Sequence, residues 1–453
     1  MNFMNDTIAA ISTPNGLGAI SIVRLSGDTA ISTVAAHFKG PNLQQIASNT
    51  INYGHICDQE GNVIDEVMVS VMKAPKTYTK EDIVEINCHG GPFVTQKVLT
   101  AMLGDQVRLA EPGEFTKRAF LNGRIDLTEA EAVMDLINAK TNLQEKAAVQ
   151  MVDGALAQMI KELREAMVKV MANAEVNIDY PEYDEEEVTR QQMQKTTQEV
   201  LDKLKTVIDY SEHGQVLKSG IKTAIIGAPN VGKSSLLNLL YRGDRAIVTA
   251  IPGTTRDTLE EEITLGQLVL DLIDTAGIHQ TDDIIEKLGI KKSQEMMQQA
   301  DLVLLVLDGS RDLSAEEAQL LQATNNQKRL VIINKADLPQ KIDQSLLPPD
   351  VIRISALKGD GFTDLKTRIE TMFLSGIENS NGAVLLANAR QLGLLNQAQK
   401  ALQSVLTGLN SDIPLDIVLI DFNEAWKKLG EIIGENAPDE LVNELFSRFC
   451  VGK

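Results

Sequence analysis

The spacing of apolar positions changes along the chain, and each change marks an expected boundary. From the N-terminus to about residue 118, short apolar runs at 7–11, 19–25, 67–72 and 83–87 read as strands. Gly, Pro and Asn turns separate them, with helical spacing near 29–37 and 93–103, which predicts a mixed α/β domain. The tight points are Gly16-Leu17-Gly18 and His89-Gly90-Gly91-Pro92, which by residue type alone are positive-φ turns. From Glu114 the period becomes helical. A helix start is expected at Leu127-Thr128-Glu129-Ala130-Glu131, then one long helix over 142–178 closed by Asp179-Tyr180-Pro181. The acidic run 184–187 opens a further helix to about residue 211; carboxylates suit a helix N-terminus, so a solvated start is preferred to a metal site. Between 218 and about 376, strands alternate with helices as in a doubly wound sheet. Helical spacing returns at 387–409 and 423–449. The helical stretches on either side share an acidic composition, so one helical domain interrupted by an inserted α/β module is expected. The fold class is therefore multidomain α+β and α/β, with boundaries at 1–118, 119–216, 217–376 and 377–453.

Composition narrows this picture. A length of 453 residues suits about three domains, each with its own core. The net charge of −20, from 43 basic and 63 acidic residues, excludes a broad polyelectrolyte surface for nucleic acid. An RNA partner would have to be held by local basic spots or through a second protein. Cys57, Cys88 and Cys450 lie far apart without metal-ligand spacing, which suits a reducing compartment. No secretory signal is read at the N-terminus, where Asp6 interrupts the first residues. The apolar runs fall short of the ~20 residues of a membrane span. The expectation is a cytoplasmic protein with no membrane role.

Chemistry concentrates in the α/β module. Gly227-Ala228-Pro229-Asn230-Val231-Gly232-Lys233-Ser234-Ser235 follows a short apolar strand and precedes Leu236, Leu237, Leu239 and Leu240 at helical spacing. A Gly-rich loop there turns backbone N–H groups toward a phosphate at a helix N-terminus. Lys233 can reach the outer phosphates, and the Ser234 hydroxyl can ligate Mg²⁺. Further elements follow in order. The loop Thr249-Ala250-Ile251-Pro252-Gly253-Thr254-Thr255 can supply a threonine to Mg²⁺. Asp274-Thr275-Ala276-Gly277 ends a strand, so Asp274 can act on Mg²⁺ through water and the Gly277 amide on a γ-phosphate. In Asn334-Lys335-Ala336-Asp337 the Asp337 carboxylate can accept the paired N–H groups of guanine, which adenine lacks. Lys335 can pack its stem over the purine while Asn334 braces the loop, and the Ser355-Ala356 backbone can address the guanine oxygen. Together these imply a GTP-binding domain. Ile278 stands where many GTPases place a water-orienting glutamine. Asn230, with carbonyls of the 249–254 loop, could instead hold a monovalent cation, and Glu286, competing with Asp282 and Asp283, could act on the attacking water.

The sequence resembles one family over its whole length, the bacterial tRNA-modification GTPases MnmE, also called TrmE. The likeness rests on Asp6-Thr7-Ile8-Ala9-Ala10, Arg24-Leu25-Ser26-Gly27, Tyr78-Thr79 through Glu85 to Pro92, and Pro112-Gly113-Glu114-Phe115. Arg118 to Gly123, the GTPase elements and the terminal Phe449-Cys450-Val451-Gly452-Lys453 complete it. The resemblance implies an N-terminal folate-binding and dimerisation domain, a helical domain and an inserted G domain. It implies a homodimer that works with a flavin-dependent partner, MnmG (GidA). Together they would add aminomethyl or carboxymethylaminomethyl groups at C5 of the wobble uridine of certain tRNAs, from 5-formyl- or 5,10-methylene-tetrahydrofolate. K⁺-stimulated GTP hydrolysis would accompany dimerisation of the G domains. By the same carry-over, Asn230, Thr249, Ile251 and Thr254 match K⁺ ligands, Ser234 and Thr255 match Mg²⁺ ligands, and Glu286 matches the catalytic glutamate. Arg24, Glu85, Arg124 and Lys453 match folate positions, Arg124 standing where some members have Lys. A catalytic role is implied for Cys450; its other reading is a small buried hydrophobe at a domain junction. An RNA-binding GTPase of ribosome assembly would share the G elements but should carry a basic appendage, which the acidic 377–453 segment is not. A folate-dependent aminomethyltransferase regulated by GTP would share the folate contacts.

Overall fold

The computed structural model describes residues 6–179, 186–243, 261–273, 298–375, 387–411 and 413–453. They divide into two compact units, 1–134 with 152–197 and 400–453 in one, and 135–151 with 198–399 in the other. The architecture is multidomain α+β and α/β, as the spacing of apolar positions predicts.

The first unit contains a sheet of β1 (Thr7–Ile11), β2 (Ile20–Ser26), β3 (Phe38–Lys39), β4 (Thr50–Cys57), β5 (Val63–Met72), β6 (Ile83–His89) and β7 (Val107–Leu109). Its order is β3-β4-β5-β6-β2-β1-β7, antiparallel throughout except for the parallel pair β1 and β7. Alternation sends Ala9, Val23, Leu25, Val69, Val71, Val84 and Ile86 into one core, beneath the helices Ala30–His37 and Pro92–Met102. The opposite face carries Ile8 and Ala10 under Phe115 and Tyr78. Arg24 stands opposite Ala10 on one side and Glu85 on the other, so both charged residues share that second face. The apolar pattern anticipates β1, β2, β5 and β6 but not β3, β4 or β7. In β4 the outward residues Ile51 and Tyr53 are 70% and 61% exposed while Gly54 turns inward, which erases the period-2 signal.

Helical spacing misleads at two places. The single helix expected over 142–178 is two, Asn142–Val152 and Ala155–Asp179, and the stretch 423–449 divides into Leu415–Ile433 and Asp439–Ser447. Gly154 (φ +80°) and Gly434 (φ +90°) end the leading helices in left-handed conformation, and apolar residues resume in phase beyond the break. The helix expected to stop near residue 211 runs Glu186–Ser219, continuing through Gly214 and ending only at left-handed Gly220 (φ +74°). Within the first unit, buried Arg164 joins Ala155–Asp179 to Leu415–Ile433. Its guanidinium lies 4.1 Å from the Trp426 ring centroid, its Nε donates to Trp426 O at 3.2 Å, and Nη1 meets Glu435 at 2.5 Å.

The second unit holds β8 (Ile221–Ile226), β9 (Glu261–Leu265), β10 (Leu268–Leu272), β11 (Leu302–Asp308), β12 (Arg329–Asn334) and β13 (Val351–Arg353). The order is β13-β12-β11-β8-β10-β9, parallel except for the edge strand β9. Central β11 is buried on both faces. Leu302, Leu304 and Val306 pack under the helices Lys233–Gly243 and Phe362–Leu374, while Val303, Leu305 and Leu307 pack on the side of Ala315–Ala323. Loops at the C-terminal ends of these strands form the first candidate site, as expected for an open parallel sheet. Among the described residues, no helix is long and apolar enough to cross a membrane.

Candidate functional site

β8 runs into the Gly-rich loop, which left-handed Asn230 (φ +61°) and Gly232 (φ +100°) turn into the helix Lys233–Gly243. Buried Asn334 fixes this loop from the end of β12. Its amide nitrogen donates to Val231 O at 2.8 Å, and its side-chain oxygen accepts from Ala356 N at 3.0 Å. One side chain thus ties together the phosphate loop, the Asn334-Lys335-Ala336-Asp337 loop and the Ser355-Ala356 loop. Lys233 Nζ donates to Gly227 O at 2.8 Å and Ala228 O at 2.9 Å. Burial pushes its pKa below the usual lysine value, so a phosphate beside it would favour the charged form. Asn230, Ser234 and Ser235 are exposed at the loop's mouth. Asp337 accepts the Ser355 hydroxyl at 2.8 Å, and this bond holds its carboxyl below the usual range. Ser355 is fully buried and accepts from Lys358 N at 3.2 Å, so Asp337 is oriented by a fixed partner. Thr249, Ala250, Ile251, Pro252, Gly253, Thr254, Thr255, Asp274, Thr275, Ala276, Gly277 and Glu286 lie outside the described residues, as do Ile278, Asp282 and Asp283.

A second cluster forms on the free face of the first unit's sheet. Arg24 Nε and Nη2 both reach Glu85 Oε1 at 2.8 Å, and its guanidinium carbon lies 5.6 Å from the Phe115 ring centroid. Arg24 Nη1 and the Ser12 hydroxyl both donate to Gly452 O at 3.2 Å. Cys450 O accepts from Gly113 N and from Lys453 N, each at 3.3 Å. The last residues of the chain are thereby seated beside Arg24. Cys450 is exposed, so it is not the buried hydrophobe of the second reading. Arg124 lies 4.7 Å over the Tyr78 ring, whose hydroxyl bonds Thr116 at 2.9 Å. Phe115 and Tyr78 belong to one small apolar cluster, so Arg24, with its partner Glu85, and Arg124 stand around it, and the tail reaches Arg24 through the Gly452 carbonyl.

Gly452 is the pin of this tail. Its φ is +92°, and a Cβ there would lie 2.5 Å from Ile11 O. Gly452→Ala should therefore lift the tail, with a cost of ~1–2 kcal/mol for the backbone conformation alone. Amide exchange at Gly113, which donates to Cys450 O, is expected to accelerate about tenfold or more. An unchanged exchange rate would show that the tail is held by other means.

Comparison with known proteins addresses the chain as a whole. The family description "MnmE helical domain" matches residues 127–450, and "GTP-binding protein TrmE N-terminus" matches residues 7–124. The tRNA modification GTPase MnmE of Lacticaseibacillus paracasei is 54% identical over 454 residues, covering 99% of this chain and 98% of that protein. The chain belongs to the MnmE family of tRNA modification GTPases. Its counterpart from Lactobacillus delbrueckii subsp. bulgaricus is likewise 54% identical, over 453 residues, with the same coverage of both chains. Among solved structures, the G domain of the T. maritima FeoB iron transporter is 30% identical over 33% of this chain and 96% of that one, with a TM-score of 0.24.

In this MnmE-family chain the structure adds a group that sequence reasoning left without a role. Arg118, 6% exposed, meets Asp6 at 2.7 Å, Glu114 at 3.0 Å and Glu81 at 3.2 Å. Arg108 bonds Asp6 at 2.6 Å and Glu114 at 2.5 Å. Glu81 also accepts the Ser26 hydroxyl at 2.7 Å. Glu81, Arg108, Glu114 and Arg118 floor a cavity of about 610 Å³ that Lys117 and Asn443 also line. Lys117 donates to Asn443 at 2.7 Å, while Arg108, Arg118, Asp6, Glu81 and Glu114 pair with one another, so the network reads as a brace for the Arg24 face. Its signal in the sequence is Glu114 and Arg118 one helical turn apart in a helix whose neighbours are buried.

Proposed function

We propose that this enzyme couples GTP hydrolysis to chemistry on tRNA. Acting with a flavin-dependent partner, MnmG (GidA), it would add an aminomethyl or carboxymethylaminomethyl group at C5 of the wobble uridine. The one-carbon unit would come from 5-formyl- or 5,10-methylene-tetrahydrofolate. The observation that supports this reading is the Arg24–Glu85 pair on one sheet face, with the Gly452 carbonyl of the tail bonded to Arg24 and Arg124 over Tyr78 of the apolar cluster there, in the chain that also holds the guanine-reading loops. Both bonds from Arg24 end on Glu85 Oε1, which holds the carboxylate in one orientation, and we assign that carboxylate to the pterin donor pair. Arg124 and Lys453 suit the anionic glutamyl end.

In the G domain, Lys233 and the loop amides would bind phosphate while Asp337 reads the base. Ser234 would hold Mg²⁺ with Thr255; it is an exposed residue in the first helical turn, and a hydroxyl oxygen is the kind of ligand that ion prefers. Asn230 would hold K⁺ with Thr249, Ile251 and Thr254; its left-handed backbone leaves the side chain on the exposed rim of the loop. The two cations supply charge neutralisation at the phosphates. Glu286 would orient the attacking water, and Cys450 would act on the modification chemistry. The domain plan is 1–118 for folate binding and dimerisation, 119–216 with 377–453 for the helical domain, and 217–376 for the G domain. A cytoplasmic homodimer fits the exposed Ile51, Tyr53 and Met68 on the same sheet face as Arg24.

Wobble-uridine analysis of tRNA from cells lacking the protein tests the reading: loss of the C5 modification is expected, and unchanged nucleoside profiles would overturn it. GTP turnover in KCl should exceed that in NaCl, and equal rates would remove the role given to Asn230.

A further inference from the structure

We infer that Asp308 is a positioning residue of the guanine site, acting through Lys335. The inference rests on the reading of Lys335 as the wall against which the purine packs. β11 and β12 run parallel, and their register places Asp308 directly beside Asn334. The next residue, Lys335, turns out of β12 with φ +63°, a conformation that sends its side chain back across the strand ends. Its Nζ meets Asp308 Oδ2 at 2.6 Å. The lysine side chain is 32% exposed and the Asp308 side chain 6% exposed, so the ion pair forms at the floor and the aliphatic stem faces outward.

Asp308 is itself held by bonds to both of its oxygens. Oδ1 accepts both the backbone N–H of Ser310 at 2.9 Å and the Ser310 hydroxyl at 2.6 Å. Arg311 Nε stands 3.6 Å from Oδ2, and Arg311 is held in turn by buried Glu317 at 3.1 Å. Lys335 O accepts from the Gln340 side chain at 3.0 Å, which fixes the backbone end of the same side chain. The stem is thus tethered at both ends. The design matches that of Asp337, whose carboxylate is aimed by Ser355. One anchored residue reads the base edge, and another supplies a surface for its face. Holding a long lysine in one rotamer before ligand arrives removes an ordering cost from binding.

The proposal separates from general stabilisation by a thermodynamic cycle. Asp308→Asn keeps the shape and the Ser310 bonds that an amide oxygen can accept, but weakens the tether. GDP affinity is expected to fall about five- to tenfold, and KM for GTP to rise by the same factor while kcat moves less than twofold. Competition by inorganic triphosphate, which has no base, should be unaffected. In a Lys335→Met background, Asp308→Asn should change GDP affinity less than twofold, because the tether no longer exists. An equal loss in both backgrounds, or a matching loss of triphosphate affinity, would show a structural role and overturn the inference. Unchanged GDP affinity in Asp308→Asn would overturn it as well. If Lys335→Met itself leaves GDP affinity intact, the underlying reading of Lys335 fails instead. Should Asp308→Asn lower the melting temperature, Ser310→Ala provides the second arm. It loosens Asp308 by one hydroxyl and is expected to give a smaller loss of GDP affinity, again absent in the Lys335→Met background.

Discussion

Asp337→Asn is expected to lower affinity for guanine nucleotides by about two to three orders of magnitude and to admit xanthine nucleotides in their place. The carboxylate offers two acceptor oxygens, and guanine presents N1–H and the 2-amino group as a donor pair. An amide keeps one acceptor and replaces the other by N–H, so the guanine amino group would face a donor. Each unmet polar group in such a site costs ~1–3 kcal/mol. Xanthine carries a carbonyl at C2, which the new N–H can serve, so the preference should reverse rather than merely weaken. The side chain is 13% exposed and anchored on Ser355, whose hydroxyl can still bond the amide oxygen. Titration calorimetry with GDP and XDP measures both arms. GDP affinity within threefold of the parent would sink the assignment of Asp337, and a loss for GDP with no gain for XDP would point to a damaged loop. Because the Ser355 bond holds the Asp337 pKa below the usual range, the carboxylate stays ionised throughout the neutral range. No pH dependence of GTP binding there should trace to this residue.

Why the nucleotide elements could be read directly and the second cluster could not is a matter of sequence distance. Strand, loop and helix start at Ile221–Ile226 and Lys233–Gly243 are contiguous, so spacing alone carries the geometry. Asn334 lies about a hundred residues from the loop it braces, yet it ends a buried apolar strand and belongs to a recognisable four-residue element. Arg24, Glu85, Arg124 and Lys453 share no local pattern; the alternation of β2 and β6 sets the first two on one face, but nothing in period or spacing indicates that the tail returns there. They were available only through resemblance to the MnmE family. Asp308 does carry a local signal: an acid that closes a fully apolar strand and precedes a glycine must be paired. Lys80 lacked even that. Its ammonium donates to Asn122 O and Gly123 O, each at 2.9 Å, across a separation that no helical or strand period spans. The helix breaks at Gly154 and Gly434 failed for the opposite reason, since apolar residues on the two sides keep a common period and tertiary packing alone reveals the turn.

Arg118→Met tests the brace behind the Arg24 face. Removing a buried guanidinium while leaving its carboxylates costs ~3–5 kcal/mol, because the remaining charges keep their desolvation penalty and lose their partner. Glu114 and Arg118 are each 6% exposed, so solvent offers little relief. Arg118→Lys should fall between, since an ammonium keeps the charge but cannot span Asp6, Glu81 and Glu114 together. A multidomain chain does not unfold in one step, so a local probe is needed. The cysteines provide it: Cys57 and Cys88 are 4% and 2% exposed within this sheet, and Cys450 is exposed. In Arg118→Met, thiol labelling of Cys57 and Cys88 should accelerate by about a hundredfold or more, while Cys450 stays fast. Labelling of Cys88 at the parent rate would mean that the network contributes nothing to holding the sheet. The pH dependence gives a second, independent reading. Burial works to raise the pKa values of Asp6 and Glu114, but hydrogen bonds from Arg108 and Arg118 outweigh it, so both end below their ordinary values of 3.8 and 4.5. Groups depressed in the folded state contribute stability above their unfolded pKa and lose it as pH falls through the folded value. The parent's protection of Cys88 should therefore weaken on acidification below pH ~4, where these carboxyls take up protons. Arg118→Met, with less of that linkage to lose, should converge on the parent at the acid end. A gap that stays constant with pH would assign the loss to packing around the arginine stem instead of to its charge.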